Sequence, residues 1–192
     1  MTLISQIKNL KIIDSKQQSE SDACLKFIEK YPDGDFYTRD NTIGHVCVSA
    51  WIVNKNRDKV LMVYHNIYDS FCWIGGHADG DKDLLHVAKK ETEEEVGLNE
   101  KDLKVLNNAE PVDIVMQCCP PHEKRGKWIA PHLHLTVVYA FETDESLEIR
   151  KLESENSDVK WLDISNLNQI VKEEHMKHIY DRLTKLVNDL DE

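Results

Sequence analysis

The sequence has no long apolar run, and basic residues are clearly fewer than acidic ones. No stretch approaches the roughly 20 apolar residues that a helix needs to cross a bilayer, so we expect no membrane-spanning segment. Lysine and arginine total 24 against 35 aspartates and glutamates, which gives a formal net charge of −11. This charge argues against binding to bulk nucleic acid or to an anionic membrane surface, because both are themselves negative.

Disulfide scaffolding is also missing. The five cysteines are odd in number, and residues 1–10 do not resemble a signal peptide. Together these features favour reduced thiols, and we expect a cytoplasmic protein. Cys118 and Cys119 are adjacent, which is the wrong spacing for a zinc-binding CxxC pair.

The N-terminal part of the chain has a helical pattern. Apolar residues recur at helical spacing over residues 2–16, and a second helix is predicted over 19–30. The sequence Tyr-Pro-Asp-Gly at 31–34 is a strong stop and turn signal. We therefore expect residues 1–36 to form an N-terminal helical extension and residues 37–192 to form the main domain.

From residue 43 the pattern changes to strands separated by turns. Strands are predicted over 45–55 and 59–66 (a hairpin), 70–74, 102–106, 110–118, 132–142 and 159–164. Helices are predicted over 82–96 and 165–190, and residues 119–131 are predicted to form a long loop. Strands on both sides of a central helix, with another helix at the end, indicate an α/β layered sandwich. The short strand spacing favours a mixed sheet over a parallel one.

Three glutamates near the end of the central helix indicate a metal site. Because positions three and four apart are neighbours on a helix, Glu91 lies beside both Glu94 and Glu95. Carboxylates this close repel unless they share a cation, and oxygen ligands favour Mg²⁺ or Mn²⁺. A charge run alone is more often a solvated helix end, but the glycine turn before the helix and Gly97 after it favour the metal site.

These residues resemble the Nudix box, which has the pattern G-x5-E-x7-R-E-U-x-E-E-x-G-U with U an apolar residue. The matching positions are Gly76, Glu91, Glu94, Glu95, Gly97 and Leu98. Three positions differ from the pattern: Lys82 stands for a glutamate, Lys90 for the arginine and Thr92 for an apolar residue. The resemblance implies a Nudix-like α/β/α sandwich with a mixed β-sheet.

The resemblance also implies an activity. Nudix enzymes use Mg²⁺ or Mn²⁺ to hydrolyse a nucleoside diphosphate linked to another moiety, so a small-molecule nucleotide or another diphosphate is the expected substrate. Matched to the motif, Glu91 and Glu95 are the main metal ligands, and Glu94 is a further ligand or the general base. The carbonyl of Gly76 could complete the metal shell, because glycine allows close backbone approach. The extra N-terminal helices leave a homodimer possible.

The departures from the box keep alternatives open. Lys82 and Lys90 would repel each other where the family pairs a glutamate with an arginine. Asp81 or Asp83 could supply the missing carboxylate, or could simply cap the helix. Lys82 also leaves open a ligand-binding or regulatory domain with weak or no turnover. A third reading is isopentenyl-diphosphate isomerase, which shares the fold but needs a catalytic cysteine and glutamate in settings that the sequence does not identify.

Several histidines fall on predicted strands or on the glycine loop: His45, His65, His77, His132 and His134. His132 and His134 are two residues apart and therefore share one face of a sheet. With His77 they could bind a second metal or contact a phosphate. The alternative is that they are hydrogen-bonded histidines of the sheet.

Cationic and aromatic residues lie together in the predicted loop 119–131. The segment contains Arg125, Lys127 and Trp128, and this combination suits the phosphates and the base of a nucleotide. The alternative is a solvated loop with Trp128 packed inward as the anchor of a lid.

Overall fold

The computed structural model describes residues 2–124, 126–154 and 156–190, and these form five α-helices and ten strands. The helices are α1 (Leu3–Lys8), α2 (Ser15–Ile28), α3 (Leu84–Val96), α4 (Leu167–Ile170) and α5 (Glu174–Asn188). The strands are β1 (Gly44–Asn54), β2 (Lys59–His65), β3 (Ser70–Cys72), β4 (Ile74–His77), β5 (Lys104–Val105), β6 (Asp113–Cys119), β7 (His122–Lys124), β8 (Lys127–Ile129), β9 (His132–Thr143) and β10 (Asn156–Asp163). Of the helices described, none combines the length and apolar character needed to cross a membrane.

Eight of these strands form one mixed sheet, which confirms the predicted sheet type. Its main path is β10-β2-β1-β9-β5, with β3 beside β2, β4 beside β1 and β6 beside β9. β1 and β9 run parallel along their shared length, from the pair Gly44–Leu133 to the pair Asn54–Thr143. The other pairings in the sheet are antiparallel, including that of β1 with β2.

Helices cover both faces of the sheet, so the α/β/α sandwich is also confirmed. Alternate residues of β1 enter two different cores because successive side chains of a strand point to opposite faces. Val48 packs in the core that contains buried residues of α1, α2 and α3. Trp51 packs in the other core, where its ring stacks on Tyr180 of α5 with the ring centroids 5.4 Å apart.

The N-terminal helices differ from the predicted ranges 2–16 and 19–30. Helix α1 already ends at Lys8, and α2 begins at Ser15. The cause is Asp14, whose side chain accepts a hydrogen bond from the backbone N–H of Gln17 at 2.8 Å and so caps α2. Both helices contribute buried residues to the same core as the sheet. The division of the chain at residue 36 therefore stays a prediction.

The structure corrects three other ranges. Residues 119–131 are not a loop, because β7 and β8 form a two-stranded antiparallel hairpin there. The strand predicted over 102–106 is reduced to β5. The helical region 165–190 contains two α-helices, α4 and α5, separated by residues 171–173, of which Val171 has an extended backbone.

A buried ionic network joins three of these elements. The Nε of Arg182 in α5 donates to Oδ2 of Asp113 in β6 at 2.8 Å, and its Nη2 donates to Glu20 of α2 at 2.6 Å. Gln17 donates to the other oxygen of Asp113 at 3.0 Å. Burial raises the pKa of Asp113 to about 6, even though Arg182 and Gln17 act to lower it.

Candidate active site

Strand β4 and helix α3 form the centre of the site. The predicted glycine turn is wrong, because Gly75 and Gly76 lie within β4 and are paired with β1. β4 pairs with β1, and the chain then passes through a short segment into α3. The side chain of Asp83 caps the helix by accepting a hydrogen bond from the N–H of His86 at 3.1 Å. The helix ends at Gly97, which adopts a left-handed backbone with φ 79°. Of the two roles considered for Asp83, the structure therefore shows the cap.

Two glutamates of α3 contact the glycine segment of β4, and at Gly76 the close approach requires glycine. The N–H of Gly75 donates to Oε2 of Glu95 at 3.3 Å, and Glu95 is only 4% exposed. A Cβ on Gly76 would lie 2.5 Å from the Cδ of Glu91, inside van der Waals contact. The Glu91 carboxylate thus occupies the space that any other side chain at position 76 would take.

Lys90 and Lys82 have different partners. The Lys90 ammonium lies 3.4 Å from Glu94 and 3.8 Å from Glu91, so it contacts two of the box carboxylates. The Lys82 ammonium instead lies over the ring of Tyr37, 5.7 Å from its centroid. The expected repulsion between the two lysines is therefore replaced by separate contacts.

Asp81 and Thr92 are also satisfied locally. Asp81 accepts a hydrogen bond from the N–H of Asp83 at 2.9 Å, and its other oxygen lies 3.0 Å from Nδ1 of His86. These two contacts lower the pKa of Asp81. Thr92 is fully buried, and its hydroxyl donates to the carbonyl of Ala88 at 2.8 Å. Because the polar group of Thr92 is satisfied within α3, the helix accepts it at an apolar position of the box.

A cavity of about 980 Å³ opens beside the box. The predicted site residues on its walls are Gly76, Glu91, Glu94, Glu95, His77, His132, His134 and Trp128. Lys127 is on β8 next to Trp128 but is not on these walls. Arg125 lies outside the described residues. Trp128 is 72% exposed, so its interpretation as an inward-packed anchor is wrong.

The strand histidines converge on one face of the sheet. His45 of β1 is paired in register with His134 of β9, and Cys47 of β1 is paired with His77 of β4. The ring centroids of His45, His77 and His134 are 5.1–5.2 Å apart. His132 joins them, with its Nε2 3.0 Å from Nε2 of His134. The sequence had suggested a group of His77 with strand histidines, but it did not place Cys47 among them.

Burial keeps two members of this cluster, His45 and His134, uncharged. Burial lowers the pKa of His134 to about 2, and the nearby rings of His77, His45, His132 and His122 lower it in the same direction. Burial also lowers the pKa of His45. Near pH 7 both imidazoles are therefore uncharged, and each has a nitrogen lone pair to offer.

Three further residues on the cavity wall were missed from the sequence. Arg39 and Asp79 form a bidentate ion pair, with two nitrogen–oxygen distances of 2.6 Å. Glu173, just before α5, is half-buried, and burial raises its pKa. These side chains come from segments distant in sequence, and no local spacing pattern connects them.

Comparison with protein families decides the assignment. A model of the NUDIX domain matches residues 44–183, which is well over half of the chain. The chain belongs to the Nudix family. The match begins at β1, so α1 and α2 lie outside it. No curated protein matches the sequence significantly.

Solved structures share the Nudix fold. A hydrolase of the NUDIX family from Clostridium perfringens is 22% identical, with a TM-score of 0.56, and the match covers 74% of this chain and 97% of that one. An Ap4A hydrolase from C. elegans is 15% identical over the same shares, with a TM-score of 0.54. The E. coli dihydroneopterin triphosphate pyrophosphohydrolase is 16% identical over 74% of this chain and 95% of that one, with a TM-score of 0.56. At these identities the likeness shows the fold.

Proposed function

We propose that this Nudix protein is a divalent-metal-dependent hydrolase that cleaves the pyrophosphate bond of a nucleoside diphosphate linked to another moiety. The observation that supports this most is the placement of the box: Gly76 and the carboxylates of Glu91, Glu94 and Glu95 all lie on the wall of one 980 Å³ cavity. Family membership and the names of the solved relatives support the same class of reaction.

The donor set fits Mg²⁺ or Mn²⁺. Glu91, Glu95 and the carbonyl of Gly76 would hold the ion, and hard oxygen ligands are those that these cations prefer. The Glu91 carboxylate lies where a Cβ of residue 76 would be, so two of the proposed ligand residues are side by side. A bound cation supplies charge neutralisation at the phosphates and a more acidic water.

Glu94 would act on the proton of the attacking water or serve as a further ligand. Its side chain is about half exposed, and Lys90 lies 3.4 Å from its carboxylate. This lysine stands at the arginine position of the box and orients Glu94 along the helix surface. A lysine ammonium acts as a point charge, whereas an arginine guanidinium can form two parallel hydrogen bonds to a carboxylate. The ion pair of Lys90 with Glu94 is therefore less directional than one with arginine.

The cavity has room for a nucleotide-sized substrate. Its volume of about 980 Å³ lies at the upper end of the range of roughly 300–1,000 Å³ that is usual for ligand pockets. The exposed ring of Trp128 lies on its wall and would stack on a base. Lys127 is off this wall, so it is given no contact with the substrate. A homodimer and a cytoplasmic location remain predictions from the sequence.

The proposal is tested by a substrate screen with Mg²⁺ and Mn²⁺. The panel contains nucleoside triphosphates, nucleotide sugars, ADP-ribose, dinucleotides and coenzyme A, and the measurement is the release of phosphate or nucleotide. Glu95→Gln and Glu91→Gln should each lower kcat/KM by ~100-fold or more, because each removes a charged metal ligand. Glu93→Gln is the matched control, since Glu93 lies on the same helix but is exposed and off the cavity wall. Inactivity of the wild-type protein across the panel would overturn the proposal.

A second candidate is a ligand-binding Nudix domain with weak or no turnover. The positions of Lys82 and Lys90 favour it, because the glutamate–arginine brace of the box is absent and Lys90 partly neutralises Glu94. Glu95→Gln separates the two functions. A binding domain should keep its affinity for nucleotide in EDTA and in the variant, whereas an enzyme should lose turnover in both.

A further inference from the structure

We propose that His45, Cys47, His77 and His134 form a four-ligand zinc site on the sheet, in the same cavity as the carboxylates. The two sites differ in chemistry: the glutamates offer only oxygen, whereas this cluster offers three imidazole nitrogens and one sulfur. Nitrogen and thiolate ligands in a set of four are typical of zinc, and they do not suit Mg²⁺.

The backbone register brings the four side chains together. His45 and Cys47 alternate on β1, so both point to the same face of the sheet. His134 is the neighbour of His45 across the parallel pairing, and His77 is the neighbour of Cys47 across the antiparallel pairing. The four positions thus form a compact patch on three adjacent strands, held in place by backbone hydrogen bonds.

The ligand atoms are close to a coordinating arrangement. One nitrogen or sulfur from each of the four residues lies within 4.8 Å of the others. Zn–N bonds of ~2.05 Å and a Zn–S bond of ~2.3 Å in a tetrahedron place the donor atoms roughly 3.3–3.6 Å apart. Small side-chain rotations, with no change of the strands, would close the remaining gap.

The hydrogen bonding of His45 also indicates that one of its nitrogens binds a ligand. Nδ1 of His45 lies 3.2 Å from the carbonyl of Asn41, which fixes the proton on Nδ1 and leaves the lone pair on Nε2. Nε2 is buried and has no hydrogen-bond partner among the described residues. Buried polar atoms of this kind are rare and costly, and a metal ion satisfies the lone pair. The carbonyl of Asn41 would then orient the ring, as outer-shell acceptors do for zinc-bound histidines.

Hydrogen bonds among the histidines of the sheet would not satisfy all of these buried nitrogen atoms. The contact between Nε2 of His132 and Nε2 of His134, at 3.0 Å, can be a hydrogen bond between two rings. It leaves Nε2 of His45 unsatisfied. Cys119, His132 and His134 form a second possible group, but they offer three ligands and share His134 with the first. We assign the four-ligand group because closed four-coordination is the arrangement of structural zinc.

A zinc ion here would fix the glycine segment of β4. His77 follows Gly75 and Gly76 directly on β4, so its coordination to ligands on β1 and β9 would hold those glycines against the sheet. The role is structural, because four protein ligands leave no open position for a water or a substrate. One thiolate and three neutral imidazoles around Zn²⁺ also give the cluster a charge of about +1, which favours an anionic ligand in the cavity.

Zinc content gives the first test and does not depend on turnover. Protein expressed without a histidine tag and dialysed against metal-free buffer should contain about one zinc per chain by plasma mass spectrometry. His45→Asn and His77→Asn should retain less than ~0.2 zinc, because each removes one of four ligands. His175→Asn is the matched control: His175 lines the same cavity but is not in the cluster, and its zinc content should equal that of the wild type.

Cobalt substitution gives the second test and needs only the wild-type fold and one conservative variant. Co²⁺ in this site should show the intense visible bands of tetrahedral cobalt and a near-ultraviolet thiolate charge-transfer band. Cys47→Ser should lose the charge-transfer band and keep tetrahedral bands. Substoichiometric zinc in the wild type overturns the proposal, as does a charge-transfer band that survives in Cys47→Ser.

Discussion

At the scale of single residues, two departures from the Nudix box are matched by short contacts within the helix. Lys90 contacts Glu94, four positions further along α3, and Thr92 bonds the carbonyl of Ala88 one turn earlier. Lys82 precedes the helix, and its ammonium lies over the ring of Tyr37. The box therefore keeps its three glutamates, while the residues around them make contacts that differ from those expected of the family pattern.

The thiols give a prediction at the same scale. Cys118 is exposed, whereas Cys24 and Cys72 are buried. Burial raises the pKa of Cys24 to about 12 and raises that of Cys72 as well, so neither forms thiolate even at pH 9. We expect Ellman's reagent to modify Cys118 rapidly in the native protein and the buried thiols only at the rate of unfolding.

The control for this measurement is Cys118→Ser, which should lack the rapid phase. In denaturant all five cysteines of the wild-type protein should react. Rapid modification of Cys24 or Cys72 in the folded protein would contradict the burial that raises their pKa.

At the scale of elements, the Arg182 network ties α2 and α5 to β6. Arg182→Met should lower the free energy of unfolding by about 3–5 kcal/mol, because it leaves Asp113 as an uncompensated buried charge. Lys11→Met is the control, since the pair of Lys11 with Asp189 is exposed at 3.2 Å and should contribute at most ~1 kcal/mol. Urea unfolding measures both variants.

The pH dependence of the same variant has a definite sign. Arg182 acts to lower the pKa of Asp113, so its removal should raise that pKa further above about 6. A carboxyl whose folded pKa exceeds its unfolded value loses stability as the pH rises through the folded pKa. The loss in free energy of unfolding of Arg182→Met relative to wild type should therefore be larger at pH 8 than at pH 5. A larger deficit at pH 5 would contradict this account.

Local signals predicted some elements well and others poorly. Helix α3 was predicted to within two residues, because Asp83 and Gly97 mark its ends in the sequence itself. The hairpin of β7 and β8 was missed: these strands are short, pair only with each other, and follow two prolines that favour a loop. The break between α1 and α2 was predicted too late in the chain, after residue 16, because apolar residues continue the helical pattern past Lys8 and hide the cap at Asp14.

In the candidate site too, residues were grouped correctly only where a local sequence pattern connects them. The glutamates could be grouped from the sequence because helical spacing of three and four residues brings them together. His45 and His134 are 134 − 45 = 89 positions apart, and only the parallel pairing of their strands makes them neighbours. No local pattern encodes that pairing.

At the scale of the whole molecule, the N-terminal helices supply part of the core. Leu3, Ile7 and Ile28 are buried against the sheet, and each such side chain contributes about 1.5–3 kcal/mol. Their sum is comparable with the ~5–15 kcal/mol total stability of a typical domain. Deletion of residues 1–30 should therefore give a protein that binds a hydrophobic dye and lacks a cooperative thermal transition.

The control for this deletion is Ile4→Ser on α1. Ile4 is 36% exposed, so the substitution should change stability by at most ~0.5 kcal/mol. A deletion variant that melts cooperatively near the wild-type temperature would show instead that residues 1–36 are an independent extension.

The parallel pairing at the centre of the sheet also governs the order of assembly. During synthesis β1 emerges well before β9, the strand that covers one of its edges along its whole length. All eleven residues of β1 are buried in the finished protein, so the nascent strand carries an unpaired apolar edge until residue 143 is available. Such edges associate with other chains, and long-range pairings form slowly. The strand that supports both cores and the histidine cluster is thus the segment most exposed to misassembly while the chain is being made.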